Sequence, residues 1–175
     1  MTPIETTYRG YRFRSRLEAR WAVCLDALGW DWEYEPEGYV LDDGVRYLPD
    51  FLLRRAFDRD GAAGDPVCYL EVKPILPTAG EVRKAWLLQV GSGVDVLFAV
   101  GLPDPHRLAH GLHGLIDGTL YEGRGSIHEY SLTKWGRPGW CLNDDRPSAA
   151  DRAACAAARA ARFERGEKPP AGSGR

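Results

Sequence analysis

The sequence contains Val67-Cys68-Tyr69-Leu70-Glu71-Val72-Lys73-Pro74 near its middle, and this stretch decides the fold. Its β-branched, aromatic and aliphatic residues favour a strand, a Gly-Asp-Pro turn precedes it, and its final proline ends it. Because side chains alternate between the two faces of a strand, Glu71 and Lys73 point to one face and the intervening Val72 to the other. The stretch therefore predicts a buried strand that carries a carboxylate and an ammonium side by side.

A second candidate strand, residues 47–53, lies upstream and carries one acid, Asp50, within an apolar run. Burying a charged group is costly unless the group is paired or binds a metal. If the two strands pair, Asp50 and Glu71 converge on one divalent cation with Lys73 beside it. Pro49 lies directly before Asp50, which suits a bulge or the start of a strand rather than a central strand.

Length and composition limit the class of protein. The 175 residues fit one domain followed by a tail, and a hydrophobic content of 44% with six Trp is enough for a packed core. The net charge of −2 gives no global basic field, so any binding of nucleic acid would need a local basic patch. The four cysteines form no C-x-x-C pair, which argues against a zinc ribbon or a disulfide framework and suits a reducing cytoplasm. We expect no membrane partner, because no apolar run approaches the ~18–20 residues of a membrane span and the N-terminus lacks a signal segment.

A helix is predicted from Ser15 to Gly29, where apolar residues recur at helical spacing. Ser15 and Glu18 match the S-x-x-E capping box, in which the glutamate bonds back to the N-cap amide. The alternative is that Glu18 points into the site that holds Asp50 and Glu71, and the local sequence does not separate the two. Residues 8–14, just before this helix, alternate aromatic and basic residues and predict a short strand or hairpin.

The middle of the chain predicts short strands and then a βαβ unit. Residues 30–47 alternate strand-forming runs with turns, as in a β-meander, with Glu33 and Glu35 on the wet face. A capping box predicts a helix over residues 79–90 with Trp86, Leu87 and Val90 as its apolar face. The continuous apolar run at residues 94–100 predicts a buried strand parallel to residues 67–73.

The last third of the chain gives weaker signals of secondary structure and of function. His106, His110 and His113 would share one face of a helix, but nearby glycines weaken both that helix and a zinc site. Residues 120–122 and 126–130 predict a hairpin, and residues 135–140 a loop that either caps the core or stacks on bases. Residues 148–165 predict an Ala/Arg helix that docks weakly for lack of apolar bulk, followed by a disordered tail at 166–175.

Taken together, the motifs resemble the PD-(D/E)XK nuclease superfamily. The resemblance rests on Glu18 in the first helix, Pro49-Asp50 in one strand and Glu71-Val72-Lys73 in the next. The surrounding segments look like the small phage and actinobacterial members, and the likeness covers residues 8–101. It implies an α/β (α+β) fold with a restriction-endonuclease-like mixed sheet flanked by helices. The nuclease domain would span residues 1–145, with an extension at 102–145, before the helix at 146–165.

The resemblance also implies an activity, that of a Mg²⁺-dependent endonuclease that hydrolyses nucleic acid, with DNA favoured and a homodimer possible. Asp50 and Glu71 would bind Mg²⁺, for which Mn²⁺ would substitute, and the Val72 carbonyl would add a ligand. Lys73 would orient or deprotonate the attacking water or stabilise the charge on the phosphate. Glu18 would hold a metal-bound water or a second cation.

Three basic residues near the first helix, Arg14, Arg16 and Arg20, would meet the phosphate backbone through salt-sensitive contacts. Two other classes of protein stay open at this point. One is a nucleic-acid-binding module with the same fold but no cleavage, and the other is a structural or partner-binding domain. In that last case Glu71 and Lys73 would form a surface salt bridge, which contributes little to stability.

Overall fold

The computed structural model describes residues 6–54, 66–105, 113–116, 118–122 and 147–163. These residues confirm the predicted mixture of helices and sheet, while the restriction-endonuclease-like type stays a prediction. The helices are α1 (Arg16–Ala27), α2 (Ala79–Ser92) and α3 (Ala149–Ala160). The strands are β1 (Thr6–Tyr8), β2 (Tyr11–Phe13), β3 (Asp31–Tyr34), β4 (Tyr39–Val40), β5 (Arg46–Tyr47), β6 (Phe51–Arg54), β7 (Pro66–Lys73), β8 (Asp95–Val100), β9 (His113–Ile116) and β10 (Thr119–Glu122).

A six-stranded mixed sheet forms the centre, in the order β10-β9-β8-β7-β6-β3. Strand β7 pairs in parallel with β8, from Cys68 opposite Asp95 to Lys73 opposite Val100, and the other pairs in the sheet are antiparallel. Helix α2 connects the two parallel strands, as parallel neighbours require a crossover. The predicted βαβ unit is therefore confirmed, and its first strand lies at the middle of the sheet.

The strand that follows Asp50 is shorter than predicted. Strand β6 begins at Phe51, and residues 46–47 pair instead with residues 39–40 in a separate two-stranded hairpin. The prediction of one strand over residues 47–53 is therefore wrong. The physical reason is Pro49, which has no N–H to donate to a ladder and ends the pairing on its N-terminal side. Asp50 consequently lies at the entrance of β6.

Helix α1 is anchored to one face of the sheet. Its N-cap is Ser15, and the chain leaves it through Leu28 and then Gly29, which has a φ of +76°. The buried indole of Trp21 donates a hydrogen bond from Nε1 to the carbonyl of Gly101, at 2.9 Å, just beyond the end of β8. This bond fixes the helix against the strand that neighbours β7.

Helix α2 covers the other face of the sheet. Its fully buried residues are Ala85 and Leu88, which pack in a second core cluster with Phe98 of β8. Trp86 and Leu87 are partly buried against the same cluster, but Val90 is 57% exposed. The prediction that Val90 belongs to the apolar face is therefore wrong, because the face that packs centres on the alanine and the leucine.

Helix α3 packs on α1 through small side chains. Ala154, Cys155 and Ala158 are at most 2% exposed and belong to the same core cluster as Trp21 and Cys24. The prediction of weak docking is wrong, because small residues let two helices approach closely and bury the apolar groups of both. None of the helices in the described part of the chain is long and apolar enough to cross a membrane.

His113 lies in strand β9 and pairs with Glu122 of β10, so it is not part of the helix that would have aligned the three histidines. His106 and His110 lie outside the described residues. So do residues 126–130 of the predicted late hairpin, the loop at residues 135–140 and the tail at 166–175.

Candidate active site

Asp50 and Glu71 face each other across two antiparallel strands. Phe51 of β6 lies opposite Leu70 of β7, so the next position along the two chains brings Asp50 opposite Glu71. Residues directly opposite in an antiparallel pair project to the same face of the sheet. Both carboxylates are buried, Asp50 at 5% and Glu71 at 2% exposure. The charge of Glu71 raises the pKa of Asp50, so the two carboxylates lie within electrostatic range of each other, while their convergence on one cation stays a prediction.

The backbone of Val72 turns toward Asp50. The carbonyl of the neighbouring Lys73 points toward β8 and accepts a hydrogen bond from the Gly101 N–H at 2.8 Å. Backbone groups of successive strand residues point to opposite edges, so those of Val72 point to the β6 side. There the Val72 N–H donates to Oδ2 of Asp50 at 2.8 Å. A side-chain carboxylate thus replaces the backbone partner of Val72, whose carbonyl is directed toward the same edge.

Glu71 has one satisfied oxygen and one that lacks a partner. Its Oε2 lies 3.2 Å from Nζ of Lys73, and the hydroxyl of Tyr47 also hydrogen-bonds this carboxylate. Its Oε1 is buried and meets no hydrogen-bond donor within the described residues. A buried carboxylate oxygen without a donor is costly, so a ligand that supplies positive charge at this atom would stabilise the site.

Lys73 remains charged in this arrangement. Its Nζ lies 3.4 Å from Oε1 of Glu81 on α2, in addition to its pair with Glu71. Burial lowers the pKa of Lys73, but the surrounding carboxylates, above all that of Glu71, outweigh burial and leave the pKa above its ordinary value. A lysine with a raised pKa is protonated at neutral pH and acts as a cation rather than a base.

Asp50 titrates near neutrality. Burial, followed by the charge of Glu71, raises the pKa of Asp50 to about 7, although the Val72 N–H and Arg14 lower it. Its two oxygens have different partners: Oδ2 accepts from Val72, and Oδ1 lies 2.6 Å from Nη2 of Arg14. Near pH 7, therefore, this carboxyl group exchanges protons readily.

Arg14 is a cation of the site. Its Nε lies 2.6 Å from Oε1 of Glu35, so the same guanidinium bridges Glu35 and Asp50 while its side chain stays 55% exposed. Glu35, predicted on the wet face, is half-buried against this arginine with a φ of +46°. Contact of Arg14 with a phosphate stays a prediction.

Glu18 lies in the first turn of α1 and contacts both the N-cap residue and strand β3. Its N–H donates to Oγ of Ser15 at 3.1 Å, and the same hydroxyl donates to Oε1 of Glu18 at 2.7 Å. Its Oε2 accepts a hydrogen bond from the hydroxyl of Tyr34 at 2.5 Å. The carboxylate is only 8% exposed, and its charge contributes to the raised pKa of Asp50. Ser15 therefore caps α1, and Glu18 bonds back to the Ser15 hydroxyl, where the predicted capping box has it bond to the Ser15 N–H. That Glu18 points into the site stays a prediction, although its charge reaches Asp50.

We tested whether a metal ion fits these residues. The described residues contain no group of three or more His, Cys, Asp or Glu side chains that could hold one, so Glu18 as a ligand stays a prediction. Two carboxylates remain, Asp50 and Glu71, and Oε1 of Glu71 has no hydrogen-bond partner within the described residues. Mg²⁺ prefers oxygen ligands and is commonly bound by one or two carboxylates together with several waters. The donor set therefore fits Mg²⁺.

Sequence reasoning missed two tyrosines of the site. Tyr47 bonds Glu71, and Tyr34 bonds Glu18 and accepts a hydrogen bond at 3.1 Å from the N–H of Arg14. The alternation of residues 31–34 does put Tyr34 on the buried face, and a buried tyrosine hydroxyl needs a polar partner. That rule signals a partner for Tyr34 without identifying it.

Arg16 and Arg20 lie away from the carboxylates. They line a cavity together with two arginines of the α3 region, Arg159 and Arg162. At 3.6 residues per turn, Arg16 and Arg20 share one face of α1 and Glu18 projects from nearly the opposite face. The structure therefore separates the predicted nucleic-acid contacts, with Arg14 at the carboxylates and the other two on the far side of α1.

The chain was compared with models of known protein families and with curated proteins, and neither comparison gave a match.

Proposed function

We propose that this protein is a metal-dependent nuclease that hydrolyses phosphodiester bonds, with DNA as the favoured substrate. The observation that carries the proposal is the pair formed by Asp50 and Glu71, buried face to face with one Glu71 oxygen unpartnered and Lys73 beside it. Burial and the charge of Glu71 raise the proton affinity of Asp50, and a carboxyl group perturbed in this way is typical of functional sites. The preference for DNA rests on the sequence resemblance alone.

The chemistry of phosphodiester hydrolysis matches these groups. The reaction needs the charge on the phosphate oxygens neutralised and a water made nucleophilic. Asp50, Glu71 and the Val72 carbonyl would hold Mg²⁺, which when bound would supply a Lewis acid and an acidified water. Lys73 stays protonated and stabilises the negative charge that grows on the phosphate, a contribution typically worth ~10²–10³ in rate.

The remaining residues of the site hold these groups in place. Arg14 neutralises Asp50 in the metal-free protein and presents a guanidinium that suits a phosphate. Tyr34 and Ser15 fix the carboxylate of Glu18, and Tyr47 fixes that of Glu71. Since Glu18 and Glu71 interact with hydroxyl groups and Asp50 accepts from Val72 and Arg14, the carboxylates are oriented before any ligand arrives.

The test is cleavage of a panel of labelled nucleic acids: linear and circular DNA, single strands, junctions and RNA. Each is incubated with Mg²⁺, Mn²⁺ or EDTA and with wild type, Lys73→Ala or Glu71→Gln. We expect metal-dependent cutting that falls by at least ~10²-fold in both variants. Lys84→Ala is the matched control, because Lys84 is an exposed lysine on α2, and it should cut like wild type.

Cutting by Lys73→Ala or Glu71→Gln at the wild-type rate would show that the site is assigned wrongly. Cutting that persists in EDTA would contradict the metal requirement. A folded wild type that binds nucleic acid but cuts nothing in the panel would instead favour the catalytically silent binding module.

A further inference from the structure

Four arginines surround one cavity on the side of α1 that faces away from Glu18. The cavity encloses about 480 Å³ between the N-terminal half of α1 and the C-terminal end of α3. Its lining consists of Arg16, Arg20, Arg159, Ala160, Ala161, Arg162 and Phe163. Among the described residues no acidic side chain belongs to that lining, so positive charge is concentrated in a concave space.

Contacts within the described residues hold one arginine of the cavity and leave one donor atom of another without a partner. Asp104, outside the cavity, pairs with Nη2 of Arg159 at 3.0 Å, and the carbonyl of Pro103 accepts from its Nε at 2.9 Å. These contacts hold Arg159 in place against the cavity. The Nε of Arg20 is buried and has no hydrogen-bond partner within the described residues. Like charges this close repel one another, so an anion in the cavity would stabilise the arrangement.

Guanidinium groups select the kind of anion. Arginine presents a planar fork of donors that matches phosphate oxygens two at a time, and it remains charged at any physiological pH. The lining offers four such groups, carried by two different elements, so a phosphate could be contacted from two sides.

The position of the cavity connects it to the candidate active site. Arg14 lies beside Asp50, and Arg16 lies in the cavity, with only the N-cap residue Ser15 between them. The first turn of α1 also carries the partial positive charge of a helix N-terminus. A nucleic-acid strand that leaves the carboxylates around this end of α1 therefore meets the arginines next.

We propose that this arginine cavity binds a backbone phosphate of the nucleic-acid substrate, at a nucleotide outside the bond that is cut. This inference rests on the proposed function and extends it. It assigns Arg159 and Arg162 of the α3 region to substrate binding, so that α3 contributes to the interface as well as to the core. It also requires a substrate that extends beyond the scissile bond.

The test measures binding rather than cutting, in EDTA, by fluorescence anisotropy of labelled DNA over a series of salt concentrations. Arg162→Gln and Arg20→Gln are compared with Arg152→Gln, which removes the same charge from an exposed position of α3 outside the cavity. We expect Kd to rise about tenfold in each cavity variant and the slope of log K against log salt to fall by about one. The control should keep the wild-type slope.

Because Arg162 is exposed, its replacement is compatible with folding, which a melting curve verifies. Slopes equal to that of the control in both cavity variants would overturn the inference, as would a wild type that binds no DNA. A second measurement, thermal stabilisation by inorganic phosphate, separates the source of the anion. Phosphate could raise the melting temperature of the wild type but not of Arg162→Gln, while the salt dependence of DNA binding stays the same in both. That result would mean a site for small anions and would also overturn the inference.

Failure of this inference is distinguishable from failure of the proposed function. If the wild type cuts DNA but both cavity variants keep its slope of log K against log salt, only the phosphate site is assigned wrongly. If the cavity variants show a smaller slope of log K against log salt but the wild type cuts no DNA, the phosphate site is present and the protein is not a nuclease.

Discussion

At the scale of single residues, the main feature is that oppositely charged groups are held close together before any ligand binds. Asp50, with a pKa of about 7, lies opposite Glu71, while Arg14 and Lys73 supply the compensating charge. The two acids differ in surroundings, since Asp50 accepts a backbone N–H and Glu71 keeps one unpartnered oxygen. A cation that replaced the proton of Asp50 would reduce the repulsion between the two carboxylates. It would also give the unpartnered oxygen of Glu71 a positively charged partner.

The first prediction concerns pH. The pKa of Asp50 in the folded protein, about 7, lies above its ordinary value of 3.8. Between these two values the folded state binds more protons than the unfolded state, so the stabilisation from protonated Asp50 is complete at low pH and is lost as pH rises through 7. We expect the free energy of unfolding without metal to fall by more than ~1 kcal/mol from about pH 5 to about pH 8, since each pKa unit corresponds to ~1.4 kcal/mol.

Urea denaturation at the two pH values measures this loss, and Asp50→Asn should lose less stability over the same interval. The same carboxyl group must release its proton to bind a cation, so Mg²⁺ affinity by calorimetry should rise from about pH 6 to about pH 8. A Mg²⁺ affinity that is flat over this range would contradict the assignment of Asp50.

The second prediction concerns Tyr34, which donates to Glu18 and accepts from the Arg14 N–H. Tyr34→Phe removes the hydroxyl and leaves a buried carboxylate oxygen without its donor, which should lower the free energy of unfolding by ~1–3 kcal/mol. Tyr39→Phe is the control, because Tyr39 bonds the hydroxyl of Tyr69 and packs in the other core cluster. Urea denaturation compares the two, and an equal or smaller loss in Tyr34→Phe would contradict the role of its hydroxyl.

At the scale of elements, α1 connects the core, the carboxylates and the arginine cavity. One side of the helix buries Trp21 and Cys24, Glu18 accepts a hydrogen bond from Tyr34 of β3, and Arg16 and Arg20 line the cavity. Helix α3 closes the outer side with small residues, and its own end supplies the other two arginines. The contact between α1 and α3 therefore controls the shape of the cavity as well as stability.

The third prediction tests this packing. Ala158 is fully buried in the core cluster that includes α1, and Ala157 beside it is exposed. Ala158→Leu should overpack the contact and lower the free energy of unfolding by ~1–3 kcal/mol, while Ala157→Leu should change it by less than ~0.5 kcal/mol. Thermal melting of both variants checks the difference, and equal melting temperatures would mean that α3 does not pack as described.

At the scale of the whole molecule, the sequence predicted the features that follow from local periodicity. The alternation of residues 67–73 correctly put Glu71 and Lys73 on one face, and the apolar run at residues 94–100 correctly indicated a parallel neighbour. The approach of Asp50 to Glu71 was also predictable, because it needs only the pairing of two nearby strands.

Other features depend on contacts between distant parts of the chain, which local patterns do not contain. The small residues of α3 carry little hydrophobic signal, yet Ala154 and Ala158 are almost fully buried on α1. The arginine cavity joins residues of α1 to residues more than a hundred positions later, and no spacing rule links them. Likewise, the partner of the Tyr34 hydroxyl depends on how α1 lies on the sheet.

The hydrogen bond from Val72 to Asp50 has a consequence for the kinds of mutation that this protein tolerates. The carboxylate takes the place of a backbone partner in the ladder, so its position depends on the register between β6 and β7. Inserting or deleting one residue in either strand would move the acids to opposite faces of the sheet. Along these two strands, the chain should accept conservative replacements of core residues but no change in length.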